Sequence, residues 1–157
     1  MILNGENING WINFNKPKGL SSFKCVYLLK NIIKIKKIGH AGTLDPLASG
    51  VLPIALGEAT KTIRFAFESK KSYLFRINWG SETSTDDKEG EVINSSIQRP
   101  NKKSILEKIK LFKGEIFQKP PIYSAIKING RRAYEVSRSG KIPKLKERKI
   151  KIYDFDL

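Results

Sequence analysis

The stretch IGHAGTLDPLASGVLPIALG, from Ile38 to Gly57, places one aspartate among small and apolar residues and contains the only histidine of the chain. Pro46 disfavours a helical conformation at Asp45, and proline is well suited to the first position of a helical turn. Four glycines allow sharp bends and a close approach of the backbone to a ligand: Gly39, Gly42, Gly50 and Gly57. The stretch therefore predicts an extended aspartate at a bend, beside an apolar segment.

Two roles are open for Asp45 from its surroundings. It can cap a single helical turn that Gly50 ends, an arrangement that stabilises by about 1 kcal/mol. It can also be a fixed, partly desolvated carboxylate that acts on a sugar carbon as nucleophile or base, or stabilises positive charge there. Because no second conspicuous carboxylate accompanies it, a two-carboxylate glycosidase has little support. The apolar residues expected around it are Leu44, Leu47, Val51 and Leu52.

Other chemistry-bearing side chains are few. His40 can be a general base, a hydrogen-bonding group or a satisfied buried imidazole, and the last is the commonest role of a lone histidine. Cys25 lies on or beside the apolar face of a predicted helix, which favours core packing. With one cysteine and one histidine, this chain cannot assemble a Cys/His zinc cluster, so no metal is expected.

Composition indicates the class of partner. The 157 residues carry 30 Lys+Arg against 15 Asp+Glu, a net charge of +15. Such a field attracts polyanions, so nucleic acid is the first partner to consider and its binding should weaken with salt; a solvated lysine-rich surface is the alternative. The sequence has neither a run of ~20 apolar residues nor a leader-like amino terminus, so we expect a cytoplasmic protein without membrane contact.

The length predicts one compact unit, and its strand-like and helical segments interleave. This order favours an α+β fold, with a mixed, largely antiparallel sheet and flanking helices. The clearest strand pattern is KKSYLFRINWG (70–80), which puts Tyr73, Phe75, Ile77 and Trp79 on one face, expected to be core. Two further segments alternate like strands: GWINFNKP (10–17) and ERKIKIYDFDL (147–157).

Helical spacing predicts three helices. The first begins at Ser21 or Ser22 and turns Phe23, Val26, Leu29 and Ile33 inward, and a short second helix includes Ala59 to Phe67. The third runs from about Asn101 to Phe112, with Ile105, Ile109 and Phe112 inward and Gly114 as a left-handed cap. Asn129-Gly130 is a strong signal for a tight turn.

Four ordered segments resemble one family. GHAGTLDPLASGVLPIALGEATK (39–61) closely resembles the catalytic motif of the bacterial tRNA pseudouridine synthase B family. Agreement continues in NKPKGLSS (15–22), KSYLFRINWGSETSTDD (71–87) and PPIYSAIKINGRRAYEVSRSG (120–140). The resemblance implies the pseudouridine synthase catalytic fold, with residues 1–157 forming the amino-terminal part of the catalytic domain.

The resemblance implies that Asp45 is the catalytic aspartate, that Tyr73 contacts the target base and that His40 lies near the flipped nucleotide. A target uridine must leave the base stack, and an aromatic ring can hold it by stacking; plain packing is the alternative for Tyr73. The implied reaction isomerises the T-loop uridine of tRNA to pseudouridine without a cofactor. Whether Asp45 attacks the sugar, attacks the base or removes a sugar proton stays open.

The resemblance also bears on RNA contacts. The T-arm is a folded stem-loop, so its recognition should depend on shape, backbone contacts and splayed bases. Basic residues in or beside the matching motifs are candidate phosphate contacts: Lys16, Lys18, Lys24, Lys61, Arg131 and Arg132.

Members of the family continue beyond the position of Leu157 with further pocket residues and a carboxy-terminal RNA-binding extension. We therefore expect an incomplete sheet, weaker tRNA binding by this chain alone and slow or absent turnover. No obligatory protein partner is expected unless a second chain supplies the remainder. Two alternatives stay open: a guide-RNA-dependent enzyme of the dyskerin branch, which shares GTLDP, and a non-catalytic RNA-binding remnant. His40 in GHAGTLD favours the bacterial branch.

Overall fold

A computed structural model describes residues 8–124 and 126–157. Residues 1–7, at the amino terminus whose sequence is not leader-like, lie outside the described residues. The chain forms two compact units, one ending at Tyr73 and the other running from Leu74 to Leu157. The length predicted a single unit, so the chain divides more finely than expected, and the assignment of 1–157 to one catalytic domain stays a prediction. In the described ranges, no helix is long and apolar enough to cross a membrane.

The first unit contains a three-stranded antiparallel sheet. Its strands are β1 (Gly10–Lys16), β2 (Ile38–His40) and β3 (Gly50–Leu56), in the order β1-β3-β2. The strand predicted from GWINFNKP is confirmed as β1. Its inward face carries Ile12 and Phe14, whereas Trp11, which the pattern placed among the apolar positions, is 43% exposed.

Helix α1 (Ser22–Ile33) covers this sheet. Cys25 and Ile33 of α1 join Ile35 and the β3 residues Leu52, Ile54 and Leu56 in one buried cluster, which confirms core packing for the cysteine. Ser21 is the N-cap, since its hydroxyl accepts a hydrogen bond from the Lys24 amide. Phe23, predicted on the buried face, is 74% exposed. It follows the buried Ser22 by one residue, about 100° around the helix.

The segment after β3 contains a 3₁₀ turn (Gly57–Thr62) and the short helix α2 (Ile63–Phe67), close to the predicted second helix. The predicted strand at 70–80 is wrong for the described chain, because residues 71–78 have no regular secondary structure. Its supposed core face is open to solvent, from 44% exposure at Trp79 to 70% at Tyr73. Alternation defines a face, but a strand also needs a hydrogen-bonded neighbour, and none of the described strands pairs with this segment.

In the second unit, residues 74–124 and 126–157 form three two-stranded antiparallel sheets and two helices. A hairpin joins β4 (Ser81–Thr83) to β5 (Val92–Ser95), and helix α3 (Lys102–Lys110) follows. The strand β6 (Gly114–Gln118) pairs with β9 (Arg148–Ile152), which confirms the closing strand. Along the chain, β6 and β9 are separated by β7 (Lys127–Ile128), β8 (Arg131–Arg132) and helix α4 (Ala133–Arg138). The antiparallel strands and flanking helices confirm the α+β class.

Two local predictions in this unit have different outcomes. The tight turn at Asn129-Gly130 is confirmed, with φ values of 48° and 85° between β7 and β8. Helix α3 starts after Asn101 as predicted, but Leu111 is its C-cap. Phe112 therefore lies outside the helix and is 47% exposed. Gly114, expected as the cap, instead begins β6.

Candidate active site

The loop of residues 41–49 carries Asp45 between β2 and β3. The carbonyl oxygen of Asp45 accepts a hydrogen bond from the Ala48 amide at 3.0 Å. This contact closes a four-residue β-turn with aspartate first and Pro46 second, positions that both residue types favour. The bend predicted at Asp45 is therefore present, but it is a β-turn and not a helical turn.

The Asp45 carboxylate is exposed. Within residues 8–124 and 126–157, no hydrogen bond or ion pair engages it. A helix N-cap would accept a bond from an amide two or three residues further on, so the capping role is not supported. The partial desolvation predicted for this carboxylate is therefore wrong, and Leu52, one of the four apolar residues expected around it, lies in the core instead. Asp45 thus presents open acceptor oxygens to any group that docks on the loop.

The residues on either side of Asp45 are hydrogen-bonded to Ser22 and Gly19, at the start of α1 and in the turn that precedes it. The Ser22 hydroxyl donates to the Leu44 carbonyl and accepts from the Leu44 amide, both at 2.9 Å. The Gly19 amide donates to the Pro46 carbonyl at 2.7 Å. The backbone is therefore held immediately before and immediately after Asp45.

Lys16 has a different role from the one predicted. It is fully buried at the end of β1, and its ammonium donates to the carbonyls of Pro17 and Leu20 at 2.9 and 2.7 Å. An ammonium enclosed in this way cannot reach a phosphate, so the prediction of a phosphate contact is corrected. Lys16 instead closes the turn that presents Gly19 to the Asp45 loop.

His40 is half-buried at the end of β2, where the Asp45 loop begins. Its Nδ1 contacts the carbonyl oxygen of Gly42. Because a carbonyl can only accept, Nδ1 must carry the proton in this contact. His40 therefore lies at the start of the Asp45 loop, with its imidazole bonded to the Gly42 carbonyl of that loop. This contact agrees with the hydrogen-bonding role among those left open for His40.

Tyr73 is the last residue of the first unit and lies in the extended segment 71–78. At 70% exposure it does not pack in a core, so the packing alternative fails. None of the described contacts joins its ring to Asp45 or His40. Its role at the base stays a prediction.

The remaining basic candidates are solvent-accessible to different degrees. Lys18 is exposed beside Gly19, and the Lys24 ammonium lies 5.4 Å from the Tyr27 ring centre. Lys61 pairs with Glu58, whose hydrogen bond and charge raise the pKa of Lys61. Arg131 and Arg132 belong to the second unit, on the β7–β8 hairpin.

Sequence reasoning missed Ser22 and Gly19 as supports of the Asp45 loop. Their signal was present only as part of the motif NKPKGLSS, and the helical pattern considered Ser21 or Ser22 only as the start of α1. The contact with Leu44 spans 22 residues of sequence, which no local pattern reveals. In the described part of the chain, no three histidine, cysteine or acidic side chains come together as a metal site.

Comparison with known proteins supplies the family context. Residues 30–157 match the model of the TruB family pseudouridylate synthase N-terminal domain. The chain is 49% identical to tRNA pseudouridine synthase B of Bartonella tribocorum, over 98% of this chain and 48% of that protein. It is 51% identical to tRNA pseudouridine synthase B of Wolbachia pipientis from Culex pipiens, over 96% of this chain and 42% of that protein. The chain thus spans about half the length of these relatives.

A solved structure is similar as well. A chain in the crystal structure of a Cbf5-Nop10-Gar1 complex aligns with a TM-score of 0.55 and 29% identity, covering 92% of this chain and 34% of that one. This likeness agrees with the predicted catalytic fold.

Proposed function

Because the chain belongs to the TruB family of pseudouridylate synthases, we propose that it acts as a tRNA pseudouridine synthase that isomerises a uridine of the T-loop. Asp45 is the catalytic carboxylate in this proposal, and the uridine reaches it after leaving the base stack. The observation that carries the proposal is the Asp45 loop itself. It lies inside the family match and holds an exposed carboxylate between two fastened residues.

The exposed carboxylate suits a reaction at the glycosidic centre. The bond between the sugar carbon and the uracil nitrogen breaks, the uracil turns, and a carbon of the ring joins the same sugar carbon. The ring carbon loses a proton and the ring nitrogen gains one, so no oxidant, reductant or water is consumed. Asp45 acts at the sugar carbon or its neighbours, where a fixed negative charge stabilises developing positive charge.

Asp45 is open to solvent in the described chain, and in this proposal the docked RNA contributes to the cover that excludes water. Closing the site in this way strengthens the electrostatic action of the carboxylate. The proposal therefore makes catalysis dependent on a well-seated nucleotide. It also gives His40, at the edge of the same loop, a place beside that nucleotide.

Transfer RNA is the favoured substrate. The net charge of +15 suits a phosphate-rich partner, and the relatives named tRNA pseudouridine synthase B share 48–51% identity with this chain. Identity to the aligned chain of the Cbf5-Nop10-Gar1 complex is lower, at 29%. The higher identity to relatives named for tRNA supports a tRNA-directed enzyme.

The experiment is conversion of an unmodified T-arm stem-loop without added guide RNA or protein. The protein is tested both as the 157-residue chain and as the complete gene product. The matched control is the same stem-loop with cytidine in place of the target uridine, which preserves the phosphates and the fold. We expect pseudouridine in the first RNA, none in the second, and similar binding of both.

Two results would contradict the proposal. Binding of both RNAs without conversion, even by the complete gene product, would indicate an RNA-binding module. Conversion only after a guide RNA is added would indicate the guide-dependent branch.

A further inference from the structure

We propose that Ser22 is a positioning residue for this reaction, because its hydroxyl fixes the backbone that aims the Asp45 carboxylate. The inference rests on the proposed function and adds a residue to it. Ser22 does not touch the reacting atoms in this account. It acts only through Leu44, the residue before Asp45.

The contact between Ser22 and Leu44 uses both capacities of one hydroxyl. The Oγ atom donates to the Leu44 carbonyl and accepts from the Leu44 amide, each at 2.9 Å. A hydroxyl has one donor and two acceptor lone pairs, so these bonds satisfy its donor and one acceptor position. Ser22 is only 2% exposed, which protects both bonds from competing water. The pair therefore fixes the position and the orientation of the Leu44 peptide groups.

A second contact restrains the other side of Asp45. The Gly19 amide donates to the Pro46 carbonyl at 2.7 Å, and the proline ring limits the backbone there further. The turn bond from the Ala48 amide to Asp45 closes the loop. With these restraints in place, the side-chain torsions of Asp45 are its main remaining freedom. Ser22 is the side chain that holds the entering half of the loop.

Such a support matters because the carboxylate has no partner of its own among the described residues. Among the described residues, only the backbone of the loop directs it toward a substrate. Without the hydroxyl, the Leu44 amide and carbonyl would hydrogen-bond to water instead. The backbone before Asp45 would then be free to rotate. A misplacement of about 1 Å can cost about 100-fold in rate, and Ser22 makes none of the proposed contacts with the RNA. Loss of Ser22 should therefore act on turnover and not on affinity.

Adjacent serines provide a matched test. Ser22→Ala removes the hydroxyl that holds Leu44, and Ser21→Ala removes the hydroxyl that caps α1 through the Lys24 amide. Ser22→Thr keeps a hydroxyl at the position. Each variant is made in the complete gene product. Three quantities are measured for each: the single-turnover rate on the T-arm stem-loop, the Kd for that RNA and the hydrogen exchange of the Leu44 amide.

We expect Ser22→Ala to lower the single-turnover rate by about 10- to 100-fold while the Kd changes less than about twofold. Exchange at Leu44 should accelerate in the same variant, and Ser22→Thr should recover most of the rate. Ser21→Ala should lower the melting temperature but leave the rate and the Leu44 exchange unchanged.

An unchanged rate in Ser22→Ala, or an equal loss in Ser21→Ala, would overturn the inference while leaving the proposed function intact. A wild-type protein that does not convert the RNA would instead refute the proposed function. Leu44 exchange then decides the structural half: acceleration confined to Ser22→Ala supports the hold on the loop, and unchanged exchange overturns it.

Discussion

The buried ammonium of Lys16 lies 2.7 Å from the carbonyl oxygen of Leu20, and it also donates to the Pro17 carbonyl at 2.9 Å. These contacts close the turn between β1 and α1. The same turn carries Gly19, which bonds to Pro46 beside the candidate catalytic residue. The Lys16 ammonium therefore supports both the turn between β1 and α1 and, through Gly19, the loop that carries Asp45.

Lys16→Met tests this connection, because methionine fills a similar volume without a donor. The Pro17 and Leu20 carbonyls would lose their charged donor, and loss of a hydrogen bond to a charged group costs about 1.5–3 kcal/mol in the free energy of unfolding. Chemical denaturation measures the loss. A change smaller than that caused by Lys18→Met, which alters an exposed neighbour, would contradict the structural role of Lys16.

Lys18→Met carries the opposite expectation. Lys18 is exposed, so its loss should change the free energy of unfolding by less than about 0.5 kcal/mol. If Lys18 contacts a phosphate, RNA binding should weaken and the slope of log K against log salt should fall by about 1. Titrations of the T-arm stem-loop at several salt concentrations measure the slope. A slope equal to that of the wild type would remove Lys18 from the interface.

The free energy of unfolding should fall at low pH because the Glu58 carboxylate becomes protonated. Hydrogen bonds from Lys37 and Lys61, and then their charges, lower the pKa of Glu58 from 4.5 to about 2. Between these values the unfolded chain binds more protons than the folded chain. The stabilisation is therefore fully present above about pH 4.5 and is lost as the pH falls toward about 2.

Melting temperatures of wild type and Glu58→Gln across this pH range measure the effect. The difference between the two proteins should shrink as the pH falls. Glu68→Gln is the matched control, since Glu68 forms no ion pair with the described residues. A difference that is constant with pH would show that the ion pairs of Glu58 do not contribute.

Gly130→Ala isolates backbone strain in the β7–β8 hairpin. Gly130 has φ 85°, and a Cβ atom built there meets no atom within 4 Å, so a clash cannot explain a loss. A left-handed conformation costs a non-glycine residue about 1–2 kcal/mol, and the free energy of unfolding should fall by that amount. Asn129→Gly should change it by less than about 0.5 kcal/mol. Equal stability of Gly130→Ala and wild type would contradict the turn.

Local signals predicted the elements whose determinants are close in sequence. The Asn129-Gly130 turn, the start of α3 at Asn101 and the β1 strand were all predicted from neighbouring residues. The segment 70–80 was not, because its alternation specifies which side chains share a face and says nothing about a pairing partner. The prediction that Phe23 is buried was wrong for a related reason. Helical spacing shows which residues share a face of a helix, but it cannot locate the centre of the buried stripe.

At the site, too, features set by neighbouring residues were predicted and features set by tertiary contacts were not. The motif around Asp45 and the bend at Pro46 were predicted from sequence, and both are present. The exposure of Asp45 was not predicted, because apolar neighbours in sequence, such as Leu52, turn away into the core. Lys16 was grouped with the surface lysines, although its burial depends on carbonyls that only the folded turn gathers. The net charge of the chain follows from its composition, but only tertiary contacts show that Lys16 has a structural role.

The single-turnover rate of Asp45→Asn on saturating T-arm RNA tests the central claim most directly. Asparagine keeps the size of the side chain and removes its charge. Asp86→Asn is the matched control, an exposed aspartate at φ 60°, a conformation that asparagine tolerates. We predict that Asp45→Asn loses at least about 10⁴-fold in rate with unchanged Kd, while Asp86→Asn matches the wild type. An Asp45→Asn rate within about tenfold of wild type would be too small a loss for a group acting at the reacting centre and would contradict the account.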